Sequence, residues 1–155
     1  MRDVGIVSRS AGVIAWEIAD RVGHASALFS ATLSSALSST PLTVGEAIGL
    51  VVLSLEPGGR TQVEWSRALG VTRQHAHALA RRLVALRLVR GERRGRERLM
   101  RATPRGLAVI EAVRPAAEAR LSRALSALSA PERASLHRLS GRLVEVLERD
   151  GAGGA

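Results

Sequence analysis

Thr61-Gln62-Val63-Glu64 followed by Ser66-Arg67-Ala68-Leu69-Gly70-Val71-Thr72-Arg73-Gln74 is the stretch whose reading decides the fold of this 155-residue chain. Thr61-x-x-Glu64 has the spacing of a capping box, in which the threonine hydroxyl and the glutamate carboxylate each satisfy a free amide at a helix start. A short helix therefore begins there. Its pattern ends at Leu69, and Gly70 can take the left-handed position just beyond a helix end. Val71 is expected to bury in the turn, and Thr72 to cap a second helix from Arg73 to Leu86. On that helix Ala76, Leu79, Ala80, Leu83 and Leu86 share one face, and Gln74, His77, Ala78 and Arg81 the opposite one. Two helices joined by a glycine-bearing turn make the helix-turn-helix pattern, whose second helix is suited to a DNA major groove.

The chain leaves this unit through a hairpin. Leu88-Val89-Arg90 starts a strand, Gly91 to Gly95 reads as a very basic turn, and Arg96 to Ala102 returns with Leu99 and Met100 as its apolar marks. A basic hairpin directly after such a helix is a wing. Thr103-Pro104 is a cap with proline at the first helical position. The helix it opens is expected to reach about Leu128, with Pro115 as a kink point. Ser129-Ala130-Pro131-Glu132 is a further capping box, opening a last helix that carries Leu136, Leu139, Leu143, Val146 and Leu147, and Gly151 to Ala155 reads as a frayed tail.

Upstream, apolar residues recur at helical spacing from Ile14 to Leu37, predicting one long helix from about Val7 or Gly12 to Ser38. Its polar face holds serine and alanine more than charge, which suits a helix packed against a partner. Pro41 closes it. Thr43-Val44-Gly45-Glu46 is another capping box, and the helix from Val44 to Leu55 is apolar on nearly every side, which predicts a buried centre. Pro57-Gly58-Gly59 then makes a turn.

Charge is distributed unevenly. Between Val71 and Gly106 stand eleven arginines and two acids (Glu92 and Glu97), so this segment carries the whole net charge of +9 while the rest of the chain balances. Every basic residue is arginine, a uniformity that codon bias accounts for; the clustering needs another cause, and a polyanionic partner supplies one. The absence of cysteine excludes disulfides and thiolate metal sites. His75 and His77 lie about 200° apart on a helix and cannot share a metal ion. No nucleophile–base pairing, Gly-rich phosphate loop or metal-ligand spacing is present, so no catalytic residue, metal or cofactor is expected and the chain is not read as an enzyme. No apolar run approaches the ~18–20 residues of a membrane span, and the N-terminus lacks signal-peptide features, so a soluble cytoplasmic protein with no membrane partner is expected. Trp65 is placed in the core, and Trp16 is a weak candidate for lining an effector cleft.

The order of these elements, from about residue 10 to 149, resembles the MarR family of winged-helix transcriptional regulators. The resemblance rests on Ser66 through Gln74, on Leu83 to Val89, on Arg96 to Gly106 with its Leu99-x-x-x-Thr103-Pro104-x-Gly106 close, and on Leu128-Ser129-Ala130-Pro131-Glu132-Arg133. It implies a mainly α fold: an N-terminal dimerisation helix (residues 1–40), a winged helix-turn-helix unit with a two-stranded wing (41–103), C-terminal dimerisation helices (104–149) and a flexible tail (150–155). It further implies a homodimer on a pseudo-palindromic double-stranded operator, acting as a sequence-specific regulator of the repressor kind, with release by a small phenolic or lipophilic effector. Thr72, Arg73, Gln74, His77 and Arg81 would then meet DNA from the recognition helix, and Arg93, Arg94, Arg96 and Arg98 from the wing. Arg96 falls at the family's wing arginine. Three departures stand out: Arg94 occupies the position of the family's usual aspartate, the wing is a few residues shorter, and Arg87 replaces a glycine before Leu88, a costly exchange if the backbone there needs a positive φ. The alternative reading is a winged-helix module for non-specific DNA or protein interaction, which the basic hairpin alone would serve.

Overall fold

The computed structural model describes residues 11–152. Six helices and three short strands follow in the order α1 (Ala11–Ala36), α2 (Val44–Ser54), β1 (Arg60–Thr61), α3 (Gln62–Ala68), α4 (Arg73–Ala85), β2 (Val89–Arg94), β3 (Glu97–Ala102), α5 (Pro104–Leu125) and α6 (Ala130–Ala152). The start of the first helix expected at Val7 lies outside the described residues. None of the helices among them is long and apolar enough to cross a membrane.

The predicted caps form as read. Thr43 and Thr61 each accept from the amide three residues on, while Glu46 and Glu64 accept from the cap amides in return. Ser129 and Glu132 repeat the exchange at α6, with the Ser129 amide 2.7 Å from the carboxylate. Such bonds favour the charged carboxylate. The Thr61 amide, then its hydroxyl, holds Glu64 below the usual carboxylate range, and the Ser129 hydroxyl, then its amide, does so for Glu132.

The core gathers where the helix-turn-helix meets the sheet and α5. Leu50 and Leu53 of α2, Trp65 of α3, Ala76, Ala80 and Leu83 of α4, and Val89, Met100 and Ile110 are all buried in one cluster. Trp65, fully buried as expected, donates its indole N–H to the Gly49 carbonyl at 2.9 Å, so its one polar atom is satisfied inside the core. The α2 helix departs from the sequence reading. Only its Gly49, Leu50 and Leu53 side, with Glu46, is buried, whereas Ile48 and Val51 remain exposed. They face an apolar groove between α1, α2 and α5 rather than a packed neighbour.

The expected two-stranded wing forms as the β2–β3 hairpin, and the sheet extends beyond it. Arg60 and Thr61 add a third strand, giving the antiparallel order β1-β3-β2 with Arg60 opposite Met100 and Thr61 opposite Leu99. Two residues flanked by a Pro-Gly-Gly turn carry no periodicity, so only pairing reveals this strand. Gly91 to Arg94, read as turn, belong to β2; the connection is the two residues Gly95 and Arg96, with Gly95 at φ +62°. At the C-terminal end α6 includes Gly151 and Ala152, while the rest of the tail read as frayed lies outside the described residues; α5 runs through Pro115 but ends at Leu125.

The two helices of the helix-turn-helix end in the same way. After α3, Gly70 donates to Arg67 and Val71 to Ser66; after α4, Arg87 donates to Val84 and Leu88 to Leu83. Both pairs are the bonds of a Schellman motif, which sets the residue after the cap in the left-handed region. Gly70 sits there at φ +63° and Arg87 at φ +59°. The position therefore does require a positive φ, and a side chain occupies it. Immediately beyond, the Thr103 hydroxyl donates to the Arg87 carbonyl at 2.8 Å and accepts from the Gly106 amide at 3.1 Å, while the Thr103 amide donates to the Leu88 carbonyl at 2.9 Å. Gly106 passes so close that a β-carbon on it would stand 2.2 Å from the Leu88 oxygen.

Arg87→Gly relieves about 1–2 kcal/mol of left-handed strain and returns part of it as unfolded-state entropy. It is expected to raise Tm by about 2–4 °C in thermal denaturation. Gly106→Ala is expected to destabilise by about 1–3 kcal/mol, because backbone must move to admit the methyl group.

Candidate nucleic-acid interface

The α4 helix owes its orientation to its small buried face. Ala76 and Ala80 let it lie close against the core, and Leu83 anchors its far end. Thr72 holds the near end by accepting from the His75 amide at 3.2 Å. Arg73, Gln74, His77 and Arg81 are exposed and, at 100° per residue, fall within an arc of about 100°. The expected recognition face therefore exists as a continuous surface, with Thr72 at its edge. His77 is not free on it. The Gln62 side-chain amide reaches across from the first turn of α3 and lies 3.0 Å from His77 Nδ1. Sequence reasoning does not single out Gln62. Its partner is fifteen positions away, and only the crossing of the two helices brings them together.

The wing arginines do not form a single group. In the β2–β3 register Arg93 lies opposite Arg98 and Gly91 opposite Met100, so these residues continue the face that buries Val89 and Met100. Arg94 lies opposite Glu97 on the other face, where Arg90, Glu92 and Arg101 also stand. Arg96 is in the turn at the tip.

Ion pairs reach only some of these arginines. Glu92 forms ion pairs with Arg90 at 3.2 Å and Arg101 at 3.8 Å, and Arg82 approaches Glu46 at 3.5 Å. Among the described residues Arg73, Arg81, Arg93, Arg94, Arg96 and Arg98 have no carboxylate partner. Arg93 instead donates to the Gly95 carbonyl at 3.3 Å, bracing the tip. Glu92 and Glu46 thus pair with arginines off the exposed arc of α4, and that arc and the wing tip keep an excess of positive charge.

Trp16, the weak effector candidate, is 77% exposed and does not line the groove between α1, α2 and α5. That groove, of about 340 Å³, has walls of Leu33, Leu37, Ile48, Val51 and Ile110, with Arg114 and Glu118 as its charged residues. Arg114 is already held by Glu111 at 2.6 Å.

A helix-turn-helix whose second helix and following hairpin carry unneutralised arginine defines a winged helix-turn-helix protein. No protein-family model and no curated protein matched the chain. Solved structures did. A MarR-family transcriptional regulator from Rhodococcus sp. RHA1 superposes with a TM-score of 0.76 at 18% identity, over 88% of this chain and 96% of that one. A mutant MarR from E. coli in complex with operator DNA gives 0.74 at 20% identity, over 82% and 93%. A Mycobacterium tuberculosis MarR-family protein in complex with salicylic acid gives 0.62 at 29% identity, over 81% and 93%. The chain is a winged-helix protein with the MarR-family fold, as its sequence motifs suggested.

If α4 reads bases, Arg73→Ala and Gln74→Ala change which duplexes are preferred, because arginine pairs with guanine and glutamine with adenine. Arg93→Ala instead weakens binding to all duplexes and makes the salt slope shallower by about one. Selection of bound sequences by each variant checks this; unchanged preferences in both helix variants reject a base-reading role.

Proposed function

We propose that the chain is a MarR-type transcriptional regulator that binds a pseudo-palindromic operator as a homodimer and represses by occupying a promoter. The observation that carries the proposal is the segregation of charge: the segment from Val71 to Gly106, which forms α4 and the wing, holds eleven arginines against two acids, and Arg73, Arg81, Arg93, Arg94, Arg96 and Arg98 of it have no carboxylate partner among the described residues. Thr72, Arg73, Gln74, His77 and Arg81 act from the major groove, and Arg93, Arg94, Arg96 and Arg98 from the wing.

A second copy is called for by the outer helices. On α6, Leu136, Leu139, Leu143 and Val146 recur at spacings of three and four residues, and Leu136, Leu139, Val146 and Leu147 are exposed. Among the described residues no other element packs extensively along α6. The described part of α1 likewise exposes Val13, Ile14, Trp16, Ile18 and Val22. Apolar stripes of this length are stable in water only when covered, and a copy of the same chain supplies a matching surface. In this arrangement residues 41–103 hold the DNA-binding unit, and the remaining helices pair.

The apolar groove between α1, α2 and α5 is the proposed effector seat. Its aliphatic walls suit a lipophilic or phenolic body, and an acidic group on it would compete with Glu111 for Arg114. Two bound recognition helices must stand about 34 Å apart, so a ligand that shifts α5 against α2 would change DNA affinity.

Gel-shift titration with a duplex recovered by in vitro selection is expected to show binding that survives excess random DNA and falls roughly 10³-fold or more between low and physiological salt if about six phosphates are contacted. Equal competition by random duplex would return the chain to a non-specific binder, and a monomer in sedimentation equilibrium would reject the dimer.

A further inference from the structure

Between the recognition helix and the wing lies a second cleft, of about 240 Å³, lined by Gln62, His77, Arg81, Val84, Arg98 and Met100 together with small residues of α4. Its floor is apolar and its charged residues are both arginines. Among the described residues neither Arg81 nor Arg98 is paired with a carboxylate, and no acid lines the cleft. Two exposed arginines thus border one acid-free hollow, and their like charges raise its positive potential.

Gly91 shows how Arg98 comes to be there. Arg98 is two residues before Met100 in β3, on the sheet face that continues the core, and Gly91 is the residue opposite Met100. The Arg98 side chain folds across the strand at Gly91: a β-carbon built on Gly91 would stand 2.3 Å from Arg98 Nε and 3.0 Å from its Nη2. Arg98 therefore lies over a seat that only a residue without a side chain leaves open, and it borders the cleft shared with α4 while remaining exposed. On the opposite wall, Gln62 Nε2 donating to His77 Nδ1 places the ring proton of a neutral His77 on Nε2, leaving a further donor at the cleft.

We propose that this cleft holds one phosphate group of the DNA backbone, gripped between Arg81 and Arg98, with Gly91 as the positioning residue that seats Arg98 and Gln62 as the one that sets the tautomer of His77. The inference rests on the duplex-binding reading above and assigns a specific task to a site within it. Guanidinium donors from two elements and the lack of any carboxylate match a tetrahedral anion with several oxygens. A phosphate is also what a duplex offers at this place, since its backbone must pass between the groove entered by α4 and the groove reached by the wing. The cleft thus fixes the wing's distance from the recognition helix by a contact that carries no base information.

The experiment uses the full chain and a duplex recovered by selection against it, followed by copies in which single phosphates are replaced one at a time by neutral methylphosphonate. For the unaltered protein, one replacement in each half-site is expected to weaken binding about tenfold. For Arg98→Ala the same replacement should have no effect, and the salt slope should be shallower by about one per bound subunit. Gly91→Ala keeps every charge yet should reproduce most of the Arg98→Ala loss, and the double variant should lose no more than Arg98→Ala alone. Circular dichroism melts of both variants confirm that folding is retained. Additive losses from Gly91→Ala and Arg98→Ala, or a Gly91→Ala protein that binds as the parent does, would overturn the cradle while leaving duplex binding intact. An Arg98→Ala protein that still senses each neutral phosphate as the parent does would also overturn it. A parent protein that binds no selected duplex rejects the functional reading itself. Inorganic phosphate added at constant ionic strength supplies the remaining arm: competition at millimolar concentration would show a site for free anions instead of the backbone.

Discussion

The joint at Leu88 ties the molecule together. Its amide closes α4 by bonding to Leu83, its carbonyl accepts from Thr103 at the start of α5, and Gly106 presses against that same carbonyl. Helix α4, the first wing strand and α5 therefore meet within a few bonds. Since Thr103 also grips the Arg87 carbonyl, the direction in which the wing leaves α4 is set by the same residue that starts α5. A displacement of α5 has little room to be absorbed here, because close-packed backbone shifts as a unit. The apolar groove, which α5 also lines, and the arginine surface are thus joined through this one backbone junction.

The presence of arginine at the left-handed position after α4 fits that picture. Natural chains place glycine where φ is positive because the β-carbon adds strain. Here the Schellman bonds on both sides and the Thr103 hydroxyl hold Arg87 in place, so the surrounding structure supports a residue that would not choose this conformation. The equivalent turn after α3 uses Gly70 and carries no such strain.

Electrostatics and packing divide the molecule along one line. Arg82, Arg90 and Arg101 are matched by Glu46 and Glu92, while Arg73 and Arg81 on α4's exposed arc and Arg93, Arg94, Arg96 and Arg98 of the wing are left without carboxylates among the described residues. Like charges held together this way raise the energy of the folded state, and an anionic surface lowers it. The outer helices show the apolar counterpart. The leucine seam of α6 and the exposed side of α1 are as incomplete without a second hydrophobic surface as the arginine face is without a polyanion.

Much of this is legible from the chain alone, and for a definable reason. Capping boxes, the glycine after α3, proline at the head of α5 and the apolar faces of the helices are local signals, set by hydrogen bonds and side-chain spacing within a turn or two. Thr61–Glu64, Thr72 and Thr103–Pro104 therefore mark the helix starts by themselves, and the crowding of arginine after Val71 marks the charged face. What needed the tertiary structure was pairing at a distance. The two-residue strand at Arg60 has no periodicity of its own and exists because β3 passes beside it. The exposed side of α2 looks like core because composition does not reveal whether a neighbour is present. The division of the wing arginines into two faces follows from strand register, and the Gln62–His77 contact and the seat of Arg98 over Gly91 follow from the crossing of elements that sequence spacing leaves unrelated. Local chemistry determined the elements; only their packing decided which charged groups would converge.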